Sequence, residues 1–403
     1  MKNIIRSIFL LLAAVTYGQT SYTKGEIIDS IAVIGAEKET FALYLPTIFS
    51  AEKLAPIVII FEPAGRGKVG LSPFIKAAEK YGHVLVCSND SRNGPYNRNF
   101  GIANRLFTHL FSQFTINPEQ VFLSGFSGGA RLATSIASLS NEITGVIGCG
   151  AGLSMQPGNM PYDTKFLYAG ICGTRDMNYI EMLELMPLLE RLKFSKTLFT
   201  FDDGHRWPPE EKIVEAFDWL YVALHKKGTV ALDGDTLKNL YLSNYENAMD
   251  KLKGEDILGA VEDFNRIRES FGSSYHLDSI SQKLIKVRGL PAYKKGLKER
   301  NMALAMERKL TTLYFERINS EFKAPETAAM GWWRKQLEKL NKQFEKGGPE
   351  IKRMIQRLRF KLFASLYERT SPSLNPNEQE KQKNYSLALR ELIRETTPED
   401  YLR

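Results

Sequence analysis

The sequence predicts an α/β protein, with a mostly parallel sheet flanked by helices, followed by an all-α region. Three observations carry this. From about Ile31 to Lys226, short apolar runs alternate with amphipathic stretches, the pattern of strand–helix units around a parallel sheet. One run, Ile57-Val58-Ile59-Ile60-Phe61, is apolar throughout, as expected of a strand covered on both faces. After Gly228 the strand pattern stops.

Taken in order, strands are expected at Phe41–Leu45, Ile57–Phe61, His83–Cys87, Val121–Leu123, Gly145–Cys149, Lys165–Ile171 and Thr197–Phe201. Helical patterns lie between them at Ser72–Tyr81, Asn99–Phe114, Gly128–Ser138, Tyr179–Lys193 and Glu210–His225. From Thr236 the chain is helical by pattern, with turns at Gly254, Gly272, Gly347-Gly348-Pro349 and Ser371-Pro372. Within it, Lys253–Phe264 and Asn384–Pro398 resemble tetratricopeptide-type helix pairs, in which Gly closes the turn and Ala lets the helices approach. No period of about 34 residues links the two segments, so a generic helical bundle is the competing reading.

The first residues form a leader. Lys2 and Arg6 flank the apolar run Ile8–Val15, and small residues at Thr16-Tyr17-Gly18 suit cleavage before Gln19. Residues 1–18 therefore read as a secretory signal, 19–228 as the α/β domain and 229–403 as the helical domain. A secreted or periplasmic location is expected, and no stable membrane insertion. An apolar strand or anchor is the alternative for the leader.

Charge supports the boundary. Residues 1–228 hold 22 Lys and Arg against 21 Asp and Glu, whereas residues 229–403 hold 32 against 25. The basic stretch Lys352–Lys361 reads as a solvated helix face, and no nucleic-acid partner is expected. The three cysteines, Cys87, Cys149 and Cys172, each end an apolar run and read as small buried residues, with a Cys149–Cys172 bridge as the alternative.

Chemistry concentrates at Gly125-Phe126-Ser127-Gly128-Gly129, a G-x-S-x-G run between an expected strand and an expected helix. Such a turn lifts the Ser127 hydroxyl clear of the sheet, and the following helix points N–H groups at any oxyanion formed there. Of the five histidines, only His205 falls on a loop after a strand; His83 opens a strand, His109 and His225 sit in helical patterns, and His276 lies in the helical half. His205 is the candidate base. Asp176, after the strand Lys165–Ile171, is the candidate acid, with capping of the next helix as its competing role. Asp202 and Asp203 are alternative acids, but stand too near His205 in sequence to face its ring. The order Ser127, Asp176, His205 is that of α/β-hydrolases. Gly128 and either Ala64 or Gly65 are the expected oxyanion donors, since Pro63 has no N–H. Gly65–Val69 lacks the ending of a phosphate loop.

These residues carry a resemblance. Residues from about 40 to 226 resemble an α/β-hydrolase of the secreted esterase group that includes polyhydroxybutyrate depolymerases and feruloyl and acetylxylan esterases. The motifs are Gly125–Gly129, Gly173-Thr174-Arg175-Asp176 and Gly204-His205-Arg206-Trp207-Pro208. The last is similar to the group's Gly-His-x-Trp-Pro. The resemblance implies Ser127 as nucleophile, His205 as base and Asp176 as acid. It departs at the oxyanion loop, where Glu62-Pro63-Ala64-Gly65 replaces the usual His-Gly. Residues 229–403 are not covered.

The loop Asn89–Tyr96 is polar, and no long apolar insertion offers a lid. Arg92, Asn93, Tyr96 and Trp207 are the expected substrate contacts. The expected substrate is a small-molecule or polymer-linked ester, with no cofactor or metal. A serine peptidase on the same fold is one alternative. A non-catalytic binding protein is another, with Tyr245, Phe264, Trp332 and Trp333 lining a groove for a protein partner. At helical spacing such aromatics also suit a core.

Overall fold

The apolar runs become strands of one sheet in the computed structural model, which describes residues 22–162, 165–370 and 379–398. The expected leader, residues 1–18, and the turn at Ser371-Pro372 lie outside the described residues. The chain divides into two units. One takes in the chain up to Cys172, Glu181–Phe201 and Arg206–Leu232; the other takes in Gly173–Ile180, Asp202–His205 and the chain from Asp233.

In the first unit the strands are β1 (Ile27–Val33), β2 (Ala36–Tyr44), β3 (Ala55–Phe61), β4 (Val84–Ser88), β5 (Ile116–Phe126), β6 (Gly145–Cys149), β7 (Leu167–Gly173, whose last residue counts with the second unit) and β8 (Lys196–Phe201). Their order in the sheet is β1-β2-β4-β3-β5-β6-β7-β8. β2 runs antiparallel to β1 and β4, while β4, β3, β5, β6 and β7 are mutually parallel. The fold class is as the sequence predicts. β1 was not anticipated, and the reason is local. The register shifts between Ile28 and Ile31, and Ser30 takes φ +58°, so a bulge breaks the alternation that marks a strand.

Alternation sorts the buried side chains onto two faces. Ile57, Ile59 and Phe61 join one core with helices α3 (Tyr96–Gln113), α4 (Gly128–Leu139) and α5 (Tyr179–Arg191). Val58 and Ile60 join the other with α1 (Gly67–Leu71), α2 (Ile75–Tyr81) and α6 (Glu210–Lys226). Both faces are therefore covered, which is why β3 is apolar throughout. Cys87, Cys149 and Cys172 are buried in this unit's strands and none is in a disulfide. Each packs as a small apolar residue, and burial pushes the Cys87 and Cys149 thiols up.

The second unit contains α7 (Gly234–Lys253), α8 (Ile257–Phe271), α9 (Asp278–Gly289), α10 (Pro291–Lys323), α11 (Met330–Lys346), α12 (Pro349–Arg369) and α13 (Glu380–Glu395). α7 and α8 pair across the turn at Gly254, and Asp256 caps α8 by accepting the Gly259 N–H at 3.0 Å. Helix lengths run from 12 residues in α9 to 33 in α10, so no constant repeat is present among the described residues. Phe264 and Trp333 are fully buried, while Trp332 packs partly buried against the core of Tyr314, Leu337, Leu358 and Leu389.

The stretch Lys352–Lys361 corrects the sequence reading. It is not a uniformly solvated face, because Arg357 and Arg359 are fully buried. Met354, Ile355, Leu358 and Leu362 turn this part of α12 into the core, and the two guanidiniums go with them. Each finds fixed acceptors. Glu307 Oε2 accepts Arg357 Nε at 2.8 Å and Nη2 at 2.6 Å. Arg359 donates to Leu337 O at 2.7 Å, Asn341 Oδ1 at 2.6 Å and Thr397 Oγ1 at 2.6 Å.

Candidate active site

Strand β5 runs directly into Ser127, which is the N-cap of α4. Ser127 holds φ +53° and ψ −119°, a conformation that costs a residue with a side chain about 1–3 kcal/mol. Its N–H donates to Cys149 O at 2.8 Å, tying the turn to the end of β6. The glycines after it answer close approaches. A Cβ at Gly129 would overlap the carbonyl oxygen of Phe61, and one at Gly128 would overlap Oδ1 of Asn93 and lie 3.2 Å from its Nδ2. The Asn93 amide therefore packs directly on the elbow.

The loop after β3 is closed on itself. Glu62 is fully buried, and its Oε2 accepts the N–H of Ala64 at 2.7 Å and of Arg66 at 3.1 Å. Arg66 adds its Nε to Oε1 at 3.0 Å. The Gly65 N–H donates to Glu62 O at 3.1 Å and the Gly67 N–H to Asn89 Oδ1 at 2.9 Å. Ala64 and Gly65, the expected oxyanion donors, thus both give their N–H groups to Glu62. A buried acceptor immediately before the loop gathers the donors that Pro63 leaves available.

In the second unit, the loop that follows β7 carries Asp176 and the loop that follows β8 carries His205. Asp176 is fully buried. Its Oδ2 lies 2.8 Å from His205 Nδ1 and its Oδ1 accepts the Asn178 N–H at 2.8 Å. The capping and partner roles weighed for Asp176 therefore coexist, one on each oxygen. A carboxylate opposite Nδ1 assigns the hydrogen to that nitrogen and leaves Nε2 as an acceptor. Asp202 and Asp203 are engaged elsewhere: Asp202 accepts Thr174 Oγ1 at 3.1 Å, and Asp203 faces Arg175 Nη2 at 3.4 Å.

Three of the other histidines serve packing, and His276 is exposed. His83 Nε2 lies 2.9 Å from Tyr221 Oη, His109 Nδ1 accepts the Ile34 N–H at 3.0 Å, and His225 Nδ1 accepts the Leu232 N–H at 3.2 Å. Among the described residues no group of three His, Cys, Asp or Glu side chains is placed to hold a metal ion, and no helix is long and apolar enough to cross a membrane.

Strand order and the strained serine between β5 and α4 decide the fold. It is that of an α/β-hydrolase. No protein-family model matches the sequence, and no curated protein matches it. Solved structures match in three dimensions. The S-formylglutathione hydrolase FrmB of Staphylococcus aureus is 12% identical over 49% of this chain and 98% of its own, with TM-score 0.40. The fluorophosphonate-binding serine hydrolase F of Staphylococcus aureus is 12% identical over 49% of this chain and 99% of its own, with TM-score 0.41. Esterase 2 of Thermogutta terrifontis is 15% identical over 52% of this chain and 96% of its own, with TM-score 0.40.

On this α/β-hydrolase sheet the expected substrate contacts separate. Arg92 and Asn93 are exposed on the loop after β4, held by Asn99 Nδ2 donating to Arg92 O at 2.8 Å and the Asn93 N–H donating to Pro63 O at 2.8 Å. Tyr96 opens α3, half-buried, its ring 5.6 Å from that of Phe100. Trp207 packs between Phe126 at 5.3 Å and Phe74 at 5.9 Å, partly buried against the core. Sequence reasoning missed Phe360, whose ring centroid lies 5.8 Å from that of His205. One Phe in an amphipathic helix gives no signal of such a neighbour.

Proposed function

We propose that the chain is an exported serine esterase acting on carboxylic esters of carbohydrate or another polar acceptor. Ser127 Oγ attacks the acyl carbonyl while His205 Nε2 takes its proton, and Asp176 holds the imidazole through Nδ1. The tetrahedral oxyanion collapses, His205 returns the proton to the departing alcohol, and Ser127 carries the acyl group. Water then repeats the sequence and releases the acid. The Gly128 N–H serves as one oxyanion donor. With the N–H groups of residues 64–67 committed, Asn93 Nδ2 is the donor proposed as the second, its amide lying beside Gly128.

The observation that carries this reading is Ser127 at φ +53° and ψ −119° between β5 and α4, a strained backbone position of the kind that clusters at active sites. The Asp176–His205 hydrogen bond supports it. Exposed Arg92 and Asn93 favour a polar acceptor over a lipid.

Hydrolysis of p-nitrophenyl acetate by the protein and by Ser127→Ala is the test, with a fluorophosphonate probe to trap the nucleophile. Turnover and labelling should both vanish in the variant. An inactive parent, or an active variant, overturns the reading. A panel of acetylated and feruloylated glycans then ranks substrates, and p-nitroanilides run alongside detect a peptidase.

A further inference from the structure

Helix α12 touches both loops that bear the acid and the base. Arg353, Arg357 and Phe360 lie on it at i, i+4 and i+7, one side of a helix. Arg353 Nε lies 3.7 Å from Asp202 Oδ1 on the histidine loop. Arg357 Nη1 donates to Thr174 O at 2.6 Å on the aspartate loop, and its guanidinium carbon lies 5.0 Å from the Tyr179 ring centroid. Phe360 packs on the His205 ring itself.

Arg357 is anchored from behind. Its Nε and Nη2 both go to Glu307 Oε2 of α10, and both side chains are about 1% exposed. A buried, forked guanidinium has little freedom, so Nη1 is a fixed point for the Thr174 carbonyl. Thr174 and Tyr179 bracket Asp176 in the chain. An Arg–Glu pair kept solely for the helical core would need no bond to that loop.

We propose that Arg357 is a positioning residue: through Thr174 it holds the Asp176 loop in register with His205, while Phe360 steadies the imidazole. The inference rests on the reading of this pair as acid and base, and gives the helical region a part in the reaction. Arg357 itself touches no reacting atom.

The test uses the full chain and two readouts. One is the far-downfield proton resonance of His205 Nδ1–H, assigned by its loss in His205→Gln and observed without substrate. The other is kcat and KM on p-nitrophenyl acetate. The double variant Arg357→Met/Glu307→Leu removes both charges and leaves neither orphaned. Its resonance should broaden or shift, and kcat should fall at least about tenfold with KM little changed. Arg357→Lys keeps a charge opposite Glu307 and loses the fork, so it should show the same changes in smaller degree. Phe360→Ala should disturb the resonance while Arg357 stays in place.

A folded double variant with the parental resonance and kcat overturns the proposal. Where that variant does not fold, an Arg357→Lys protein with parental values does so. A parent lacking the resonance also overturns it. A parent that shows the resonance yet hydrolyses no ester defeats the esterase reading alone, and the resonance then judges the positioning by itself.

Discussion

The α-carbon of Gly129 is pressed against the carbonyl oxygen of Phe61, with no room for a Cβ between them. The first turn of α4 is thereby locked onto the end of β3.

Gly129→Ala should therefore destabilise the protein by about 3 kcal/mol, because a backbone oxygen cannot swing aside as a side chain can. Gly158→Ala is the control, since a Cβ there meets nothing within 4 Å, and its change should stay within about 0.5 kcal/mol. Urea denaturation midpoints of the two variants make the comparison.

Strain at Ser127 should be measurable apart from chemistry. Ser127→Ala keeps a Cβ at φ +53°, whereas Ser127→Gly removes it. The glycine variant should be the more stable by about 1 kcal/mol. Both should lose esterase activity by about a thousandfold or more. Equal thermal stability of the two would show that the turn stores no strain.

Asn93→Ala should lower kcat about a hundredfold with a small change in KM, the signature of a donor used in the transition state. An effect on KM alone would reassign Asn93 to substrate binding.

Acid sensitivity should trace in part to His83. Burial among Tyr81, Phe122 and Phe217 pushes its imidazole down to about 3 from the ordinary 6.5. The unfolded chain binds the proton more readily, so this contribution is whole above about pH 6.5 and drains as the pH falls toward 3. The slope is at most about 1.4 kcal/mol per pH unit. Thermal unfolding across this window should be less steep in pH for His83→Leu than for the parent. Parallel curves would count against the assignment.

Much of this was legible in the sequence because it depends on neighbours in the chain. Ile57–Phe61 announces a strand covered on both sides, and the sequence already sets Asp176 and His205 on loops after strands, where the fold brings them to 2.8 Å. The remainder depends on distant partners. Burial of Arg357 follows from Glu307, 50 residues away, and that of Arg359 from Asn341 and Thr397. The donors of the 64–67 loop look available until the buried Glu62 carboxylate is placed among them. β1 escaped because a bulge at Asp29-Ser30 erases the two-residue period.

The three cysteines supply a clock. Cys87 lies in β4, Cys149 ends β6 and Cys172 lies in β7, and none is exposed. An alkylating reagent reaches each thiol only when its own strand opens, so three labelling rates time three separate events in the native ensemble. Mass spectrometry of partly labelled protein should order those events, and equal rates at all three would mean that the sheet opens as a single unit.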